Sequence, residues 1–173
     1  MTFYSGFSLK NENEFFKDFI KDTEYTVCGF SYGAIKAFEH VEKQLENSKR
    51  VDTLQLFSPA FFQTKPSKFK RLQTMGYSKN KDKYLNEFTK ACFAPYEIID
   101  LEHSDTSLDE LEELLNYRWN QSRLENISDK GVDIEVYIGG RDIVIDVQKA
   151  REFFLNVATV TYIKDANHFL QTN

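Results

Sequence analysis

The octapeptide Val27-Cys28-Gly29-Phe30-Ser31-Tyr32-Gly33-Ala34 constrains this chain more than any other stretch. It reads G-x-S-x-G. An apolar β-type run over residues 25–28 enters it. A helical pattern leaves it, with Ile35, Phe38, Val41 and Leu45 on one face and an end near Asn47. A turn this sharp between strand and helix leaves no room for side chains beside the serine, so both flanking positions are glycine. The setting predicts that the Ser31 hydroxyl stands at the carboxyl edge of a sheet, above the first turn of a helix.

The rest of the chain repeats the alternation. Strands are expected at residues 2–5, 51–57, 132–138 and 158–163. Helices are expected at 11–21, where Phe15, Phe16, Phe19 and Ile20 recur at helical spacing, and at 146–156. Strands alternating with helices predict an α/β fold on a parallel sheet of about five strands, ordered roughly as in the sequence. Parallel strands covered on both faces read as continuous apolar runs. Here Thr53 and Gln55 alternate with Leu54 and Leu56, Asp133 and Glu135 with Ile134 and Val136, and Thr159 and Thr161 with Val160 and Tyr162. Helices are therefore expected mainly on one face, the other being largely bare. Only about ten residues follow the last strand, too few for a covering helix. Residues 1–59 and 127–173 form the expected core, and residues 60–126 a helical insertion, with one helix over 107–123.

A length of 173 residues suits one domain, and 41% apolar with 28% charged residues suits a soluble globular chain. No apolar run approaches the ~20 residues of a membrane span, and no basic-then-apolar leader opens the chain, so a cytoplasmic location is expected. Cys28 and Cys92 are isolated and read as buried thiols in a reducing compartment. No Cys/His cluster has metal-ligand spacing, and no metal or cofactor is implied. The net charge of −5 argues against nucleic acid as a partner.

A serine hydroxyl becomes a nucleophile only beside a base, and the base needs an orienting acid. His168, in the loop after the last strand, supplies the base. Asp142, in Gly139-Gly140-Arg141-Asp142 after the preceding strand, supplies the acid. The open ends of parallel strands bring such loops together. His40 falls inside the helix after Ser31, and His103 in an acidic surface stretch. Asp146 is placed to cap a helix, and Asp165 lies too near His168 along the chain. An oxyanion formed at Ser31 would meet the N–H of Tyr32, the residue after the nucleophile, and the Phe7 N–H in the loop after the first strand.

The insertion is divided in charge. Residues 65–90 carry eight basic side chains against Asp82 and Glu87, whereas residues 97–113 carry eight acids and no Lys or Arg. Its aromatics are suited to lining an acyl channel. Lys65, Lys68, Lys70 and Arg71 are the candidates for receiving an acidic partner.

Taken together, Gly29-x-Ser31-x-Gly33, Gly140-x-Asp142 and Asn167-His168 resemble the α/β-hydrolase family over the whole chain apart from the insertion. The opening Phe3-Tyr4-Ser5-Gly6-Phe7 and the turn Gly29-Phe30-Ser31-Tyr32-Gly33-Ala34 resemble, more narrowly, the pimeloyl-[acyl-carrier protein] methyl ester esterases of biotin synthesis, of the BioV type. The resemblance implies a reduced α/β-hydrolase fold with the insertion as a lid. It also implies a serine carboxylesterase that cleaves the methyl ester of pimeloyl-acyl carrier protein, with an acidic acyl carrier protein as partner. The chain departs from the family in lacking the strand that ordinarily falls between oxyanion loop and serine turn, and Ser5-Gly6-Phe7 replaces the usual His-Gly opening. A thioesterase, a general short-chain carboxylesterase or a degenerate binding module would carry the same residues.

Overall fold

The computed structural model describes all residues 1–173. Five parallel strands form the main sheet: β1 (Thr2–Tyr4), β3 (Thr26–Phe30), β4 (Thr53–Phe57), β6 (Asp133–Gly139) and β7 (Thr159–Ile163). They lie side by side in chain order. A second, two-stranded antiparallel ribbon pairs β2 (Leu9–Lys10) with β5 (Glu102–His103). Two residues per strand are too few to leave a periodic trace, and the ribbon was not legible in the sequence.

One face of the sheet carries the helices. α1 (Tyr32–Glu46) packs on β1, β3 and β4, and α6 (Val147–Phe154) on β6 and β7. Ile35, Phe38 and Val41 of α1 join Val27, Leu54, Leu56, Ile134 and Val136 in one apolar core. The same core continues into residues 60–126 through Phe61, Leu111, Leu114 and Trp119, so the inserted helices share the core of the sheet. These helices are α2 (Ser67–Lys79), α3 (Lys81–Phe93) and α4 (Leu108–Asn116). α5 (Gln121–Asp129) returns the chain to α1.

The expected helix at 107–123 is two helices. The Trp119 backbone N–H donates to the Gln63 side chain at 2.7 Å, and its indole N–H to the Ala60 carbonyl at 2.8 Å. A continuing helix would need that backbone N–H for itself. Asn120 then caps α5 by accepting the Arg123 N–H at 3.1 Å.

The second face departs from expectation along a gradient. Register places Cys28, Gln55, Glu135 and Thr159 in one row across it. Gln55 is fully buried, Glu135 half-buried and Thr159 exposed. The next row runs Phe30, Phe57, Tyr137 and Thr161, from buried to exposed in the same direction. The β6–β7 end is bare, as the alternation indicates. The β3–β4 end is covered, and Thr53 and Gln55, expected to face solvent, are buried. No α-helix lies along this end. The cover consists of a 3-10 turn at Glu12–Phe16, the end of α3 at Cys92 and Phe93, and Phe169 and Leu170. Phe16 packs on Phe57 at 4.7 Å and on Phe30 at 4.9 Å.

Gln55 also explains why residues 11–21 do not form the expected helix. Its amide donates to the Phe19 carbonyl at 2.9 Å and accepts the Lys21 N–H at 2.9 Å. A helix over 11–21 would pair the Lys21 N–H internally, with the Lys17 carbonyl. Glu135 and the Tyr137 hydroxyl complete the amide's partners. Replacing Gln55 by Ala should therefore lower unfolding stability in a urea titration by about 2–4 kcal/mol, from unpaired backbone groups plus a void. Thr161→Ala, on the bare end of the same face, should stay within about 0.5 kcal/mol. Equal effects would mean that the gradient does not exist.

Candidate functional site

Ser31 sits between β3 and α1 with φ 53° and ψ −113°, outside the regions an L-residue ordinarily occupies. Three contacts hold it there. Its N–H donates to the Phe57 carbonyl at 2.9 Å, and its carbonyl accepts the Ala34 and Ala60 N–H groups at 3.1 and 3.0 Å. The flanking glycines are required by close approach. A Cβ on Gly29 would lie 2.2 Å from the Gly33 carbonyl oxygen, and one on Gly33 would lie 2.0 Å from that of Tyr4.

The structure brings Ser31, His168 and Asp142 together, although 137 and 26 residues separate the pairs. His168 Nε2 lies 3.0 Å from Ser31 Oγ, and His168 Nδ1 lies 2.5 Å from Asp142 Oδ2. A carboxylate accepts only, so Nδ1 carries the proton and Nε2 is left to accept from the serine hydroxyl. The second Asp142 oxygen accepts the Val144 N–H at 2.7 Å and, more loosely, that of Ile145 at 3.4 Å, which fixes the carboxylate. All three residues are buried. The rival groups lie elsewhere. Asp146 caps α6 by accepting the Lys149 N–H, and Asp165 pairs with Arg141 at the surface. His40 packs on the Tyr4 ring, and exposed His103 lies on the small ribbon.

The Tyr32 N–H starts α1 and has no helical acceptor. It and the Phe7 N–H are donated to no other group of the chain. The Gly6 carbonyl accepts the Leu9 N–H at 3.1 Å, and the Gly6–Phe7 peptide is trans, so the Phe7 N–H points away from that turn.

Three contributions escaped the sequence. The buried Asn167 amide donates to the Phe93 carbonyl and to Gln171, both at 2.8 Å, while its oxygen accepts the Phe169 and Gln171 N–H groups at 3.0 Å. These bonds fix the loop on either side of His168. The Tyr32 phenol donates to Glu113 of α4 at 2.5 Å, tying the insertion to the serine turn. Burial first, and that bond second, push the phenol's pKa up. Glu12 meets the Gly6 N–H. The Asn167–Phe93 and Tyr32–Glu113 bonds join residues 74 and 81 apart in the chain, and no local pattern marks these bonds.

Beneath α2, α3 and α4 lies an apolar cavity of about 370 Å³. Phe62, Phe69, Phe88 and Leu111 line it. Phe7, from the loop after β1, and Val144, two residues from Asp142, also border it, with Lys65 and Glu87 among its polar lining. Lys68 and Arg71 are exposed on α2, whereas Lys70 and Lys65 are half-buried, and Lys65 Nζ stands 5.5 Å over the Phe69 ring. The four do not form one uniform patch. Cys28 and Cys92 are both buried and free, and burial pushes the Cys28 thiol up to about 12. No three His, Cys, Asp or Glu side chains are grouped to hold a metal, and no helix is long and apolar enough to cross a membrane.

If this geometry makes Ser31 a nucleophile, a fluorophosphonate should add to Ser31 alone, seen by peptide mass spectrometry. His168→Ala should slow the labelling by about 10²–10⁴-fold. Equal rates in the two proteins would mean that the imidazole does not activate the serine.

No protein-family model and no curated protein sequence matches the chain. Solved structures do match in fold. The esterase EaEST from Exiguobacterium antarcticum is 17% identical with a TM-score of 0.64, over 90% of this chain and 63% of its own. Naproxen esterase from Bacillus subtilis is 14% identical with a TM-score of 0.54, over 85% of this chain and 54% of its own. BioG from Haemophilus influenzae is 11% identical with a TM-score of 0.58, over 98% of this chain and 88% of its own. The chain thus spans less than two thirds of the two esterases. Its fold is that of the α/β-hydrolases, in a reduced five-stranded version.

Proposed function

We propose that the chain is a serine carboxylesterase that hydrolyses the methyl ester of a pimeloyl group carried by an acyl carrier protein. The observation that carries the reading is the Ser31–His168–Asp142 relay, at 3.0 and 2.5 Å, in a chain whose Tyr32 and Phe7 backbone N–H groups bond to no other group of the protein. In this mechanism Ser31 Oγ attacks the ester carbonyl carbon while His168 Nε2 takes the hydroxyl proton. The Asp142 carboxylate stabilises the imidazolium. The carbonyl oxygen becomes an oxyanion that accepts the N–H groups of Tyr32 and Phe7. Collapse expels methoxide, which leaves as methanol with the proton from His168. Water, deprotonated by the same imidazole, then attacks the acyl-enzyme and releases the free carboxylic acid and Ser31.

The apolar cavity supports an acyl substrate. Its volume falls in the ~300–1,000 Å³ range of small-molecule sites. The carrier is argued from charge. Exposed Lys68 and Arg71 stand on α2, which also contributes Phe69 and Leu72 to the cavity wall. An acidic carrier docked there would place its prosthetic arm near the cavity mouth, with an effect mainly on the association rate. The biotin assignment rests on the motifs at Phe3–Phe7 and Gly29–Ala34, and the likeness in fold to BioG is in keeping with it.

The deciding experiment is incubation with methyl-pimeloyl-acyl carrier protein followed by mass spectrometry. Loss of the methyl group with the acyl chain still on the carrier, abolished in Ser31→Ala, is the expected result. Release of free carrier would make the protein a thioesterase. Cleavage of a short p-nitrophenyl ester alone would keep the hydrolase and discard the biotin substrate. Reversing Lys68 and Arg71 to Glu should lower kcat/KM for the carrier-bound ester about tenfold or more, and leave that for a free ester within twofold. An equal fall for both substrates would refute docking at α2.

A further inference from the structure

Glu12 is 1% exposed, a burial that acidic side chains rarely reach without a pairing cation. No Lys, Arg or His pairs with it. One carboxyl oxygen accepts the Gly6 N–H at 2.6 Å, and the other is buried with no hydrogen-bond partner. With no cation beside it, Glu12 is not buried as half of an ion pair. Its position gives another account. Gly6 immediately precedes Phe7. The peptide entering Gly6 is held by Glu12 through its N–H, and the peptide leaving it is held by Leu9 through its carbonyl. With both fixed, the Phe7 N–H has one direction. The Phe30 ring closes the remaining side, standing 2.8 Å from where a Gly6 Cβ would be. The 3-10 turn that carries Glu12 is anchored by Phe16 on Phe57 and Phe30, so the carboxyl is held from the sheet itself.

We infer that Glu12 is a positioning residue for the oxyanion loop, its buried carboxyl orienting the Gly6–Phe7 peptide whose N–H receives the developing negative charge. The role of that N–H rests on the ester-hydrolase reading; the orientation of the loop does not. Burial pushes the Glu12 carboxyl up in pKa against the opposing pulls of the Gly6 N–H, its own N–H and the Ser5 side chain. This loop has no His-Gly pair of its own, and Glu12 supplies the constraint from outside it.

The test compares Glu12→Gln, which keeps the accepting oxygen, with Glu12→Ala, which removes it. Two readouts are used: hydrolysis of a p-nitrophenyl ester and amide hydrogen exchange across residues 5–9. Glu12→Ala should lower kcat about 10–100-fold with KM within twofold, the cost of a misplaced oxyanion donor. Exchange in the loop should rise at least tenfold. Glu12→Gln should restore kcat to within threefold and protection to the wild-type level, with Tm unchanged or higher. Normal kcat in Glu12→Ala would overturn the inference. So would a more than tenfold loss of kcat in a stably folded Glu12→Gln, which also decides the matter should Glu12→Ala fail to fold. If the wild type cleaves no ester, the hydrolase reading falls. The loop is then judged by exchange alone: protection lost in Glu12→Ala and kept in Glu12→Gln supports positioning, and protection kept in both refutes it.

Discussion

The end of β1 and the start of α1 lie so close that one added methyl group at Gly33 would sit 2.0 Å from the Tyr4 carbonyl oxygen. Most of the site depends on this approach. It sets the chain leaving β1, and with it the Gly6–Phe7 peptide, against the helix whose first N–H belongs to Tyr32. It also forces the turn at Ser31 into φ 53°, ψ −113°. Strain of this kind, of order 1–3 kcal/mol, persists only where the surroundings over-determine it. Here they do so through backbone bonds from Ser31 to Phe57, Ala34 and Ala60. The bond to Phe57 passes the constraint to β4, and Ala60 passes it to the beginning of the insertion.

A chain with so few layers must stabilise its sheet economically. On its second face only the end of α3 reaches the sheet's cover, and aromatic side chains do part of a helix's work. Phe16, Phe30, Phe57, Phe93 and Phe169 form one buried cluster there, with Phe169 4.5 Å from Phe93 and 4.9 Å from Phe30. Large rings cover much area per residue, so a 3-10 turn, the end of α3 and the residues after His168 suffice to cover this end. The same cluster reaches the chemistry. Phe30 lies 5.0 Å from the His168 ring, and Phe169 is the next residue after it. His168 is therefore held by packing as well as by hydrogen bonds, in a fully buried position.

Residues 60–126 are likewise joined at several points to the sheet edge that carries Ser31 and His168. Tyr32 bonds Glu113, Asn167 bonds the end of α3 at Phe93, and β5 pairs with β2 directly after the Ser5–Phe7 loop. Its apolar residues belong to the core of the sheet. The cavity consequently has two kinds of wall: the helices of residues 60–126 on one side and, through Phe7 and Val144, the loops after β1 and β6 on the other. Substitutions in the insertion would be felt at Ser31 through these bonds as well as through the cavity.

The sequence by itself determined what is local or periodic. The alternation of strands with helices, the sheet order, the serine turn with its two glycines, and the loops carrying Asp142 and His168 all leave marks within a few residues. A parallel sheet then delivers those loops to one edge. What only the tertiary structure decided are the places where a distant side chain competes for a backbone group. Gln55 takes the Phe19 carbonyl and the Lys21 N–H and cuts short a helix that periodicity supports. Gln63 takes the Trp119 N–H and splits another. Glu12 takes the Gly6 N–H and Asn167 the Phe93 carbonyl, and these bonds complete the site. Such partners lie 6 to 74 residues apart in the chain. An unpaired buried backbone group costs more than a helix propensity contributes, so the distant bond wins. The physical reason it was illegible is that a hydrogen bond between distant residues has no period.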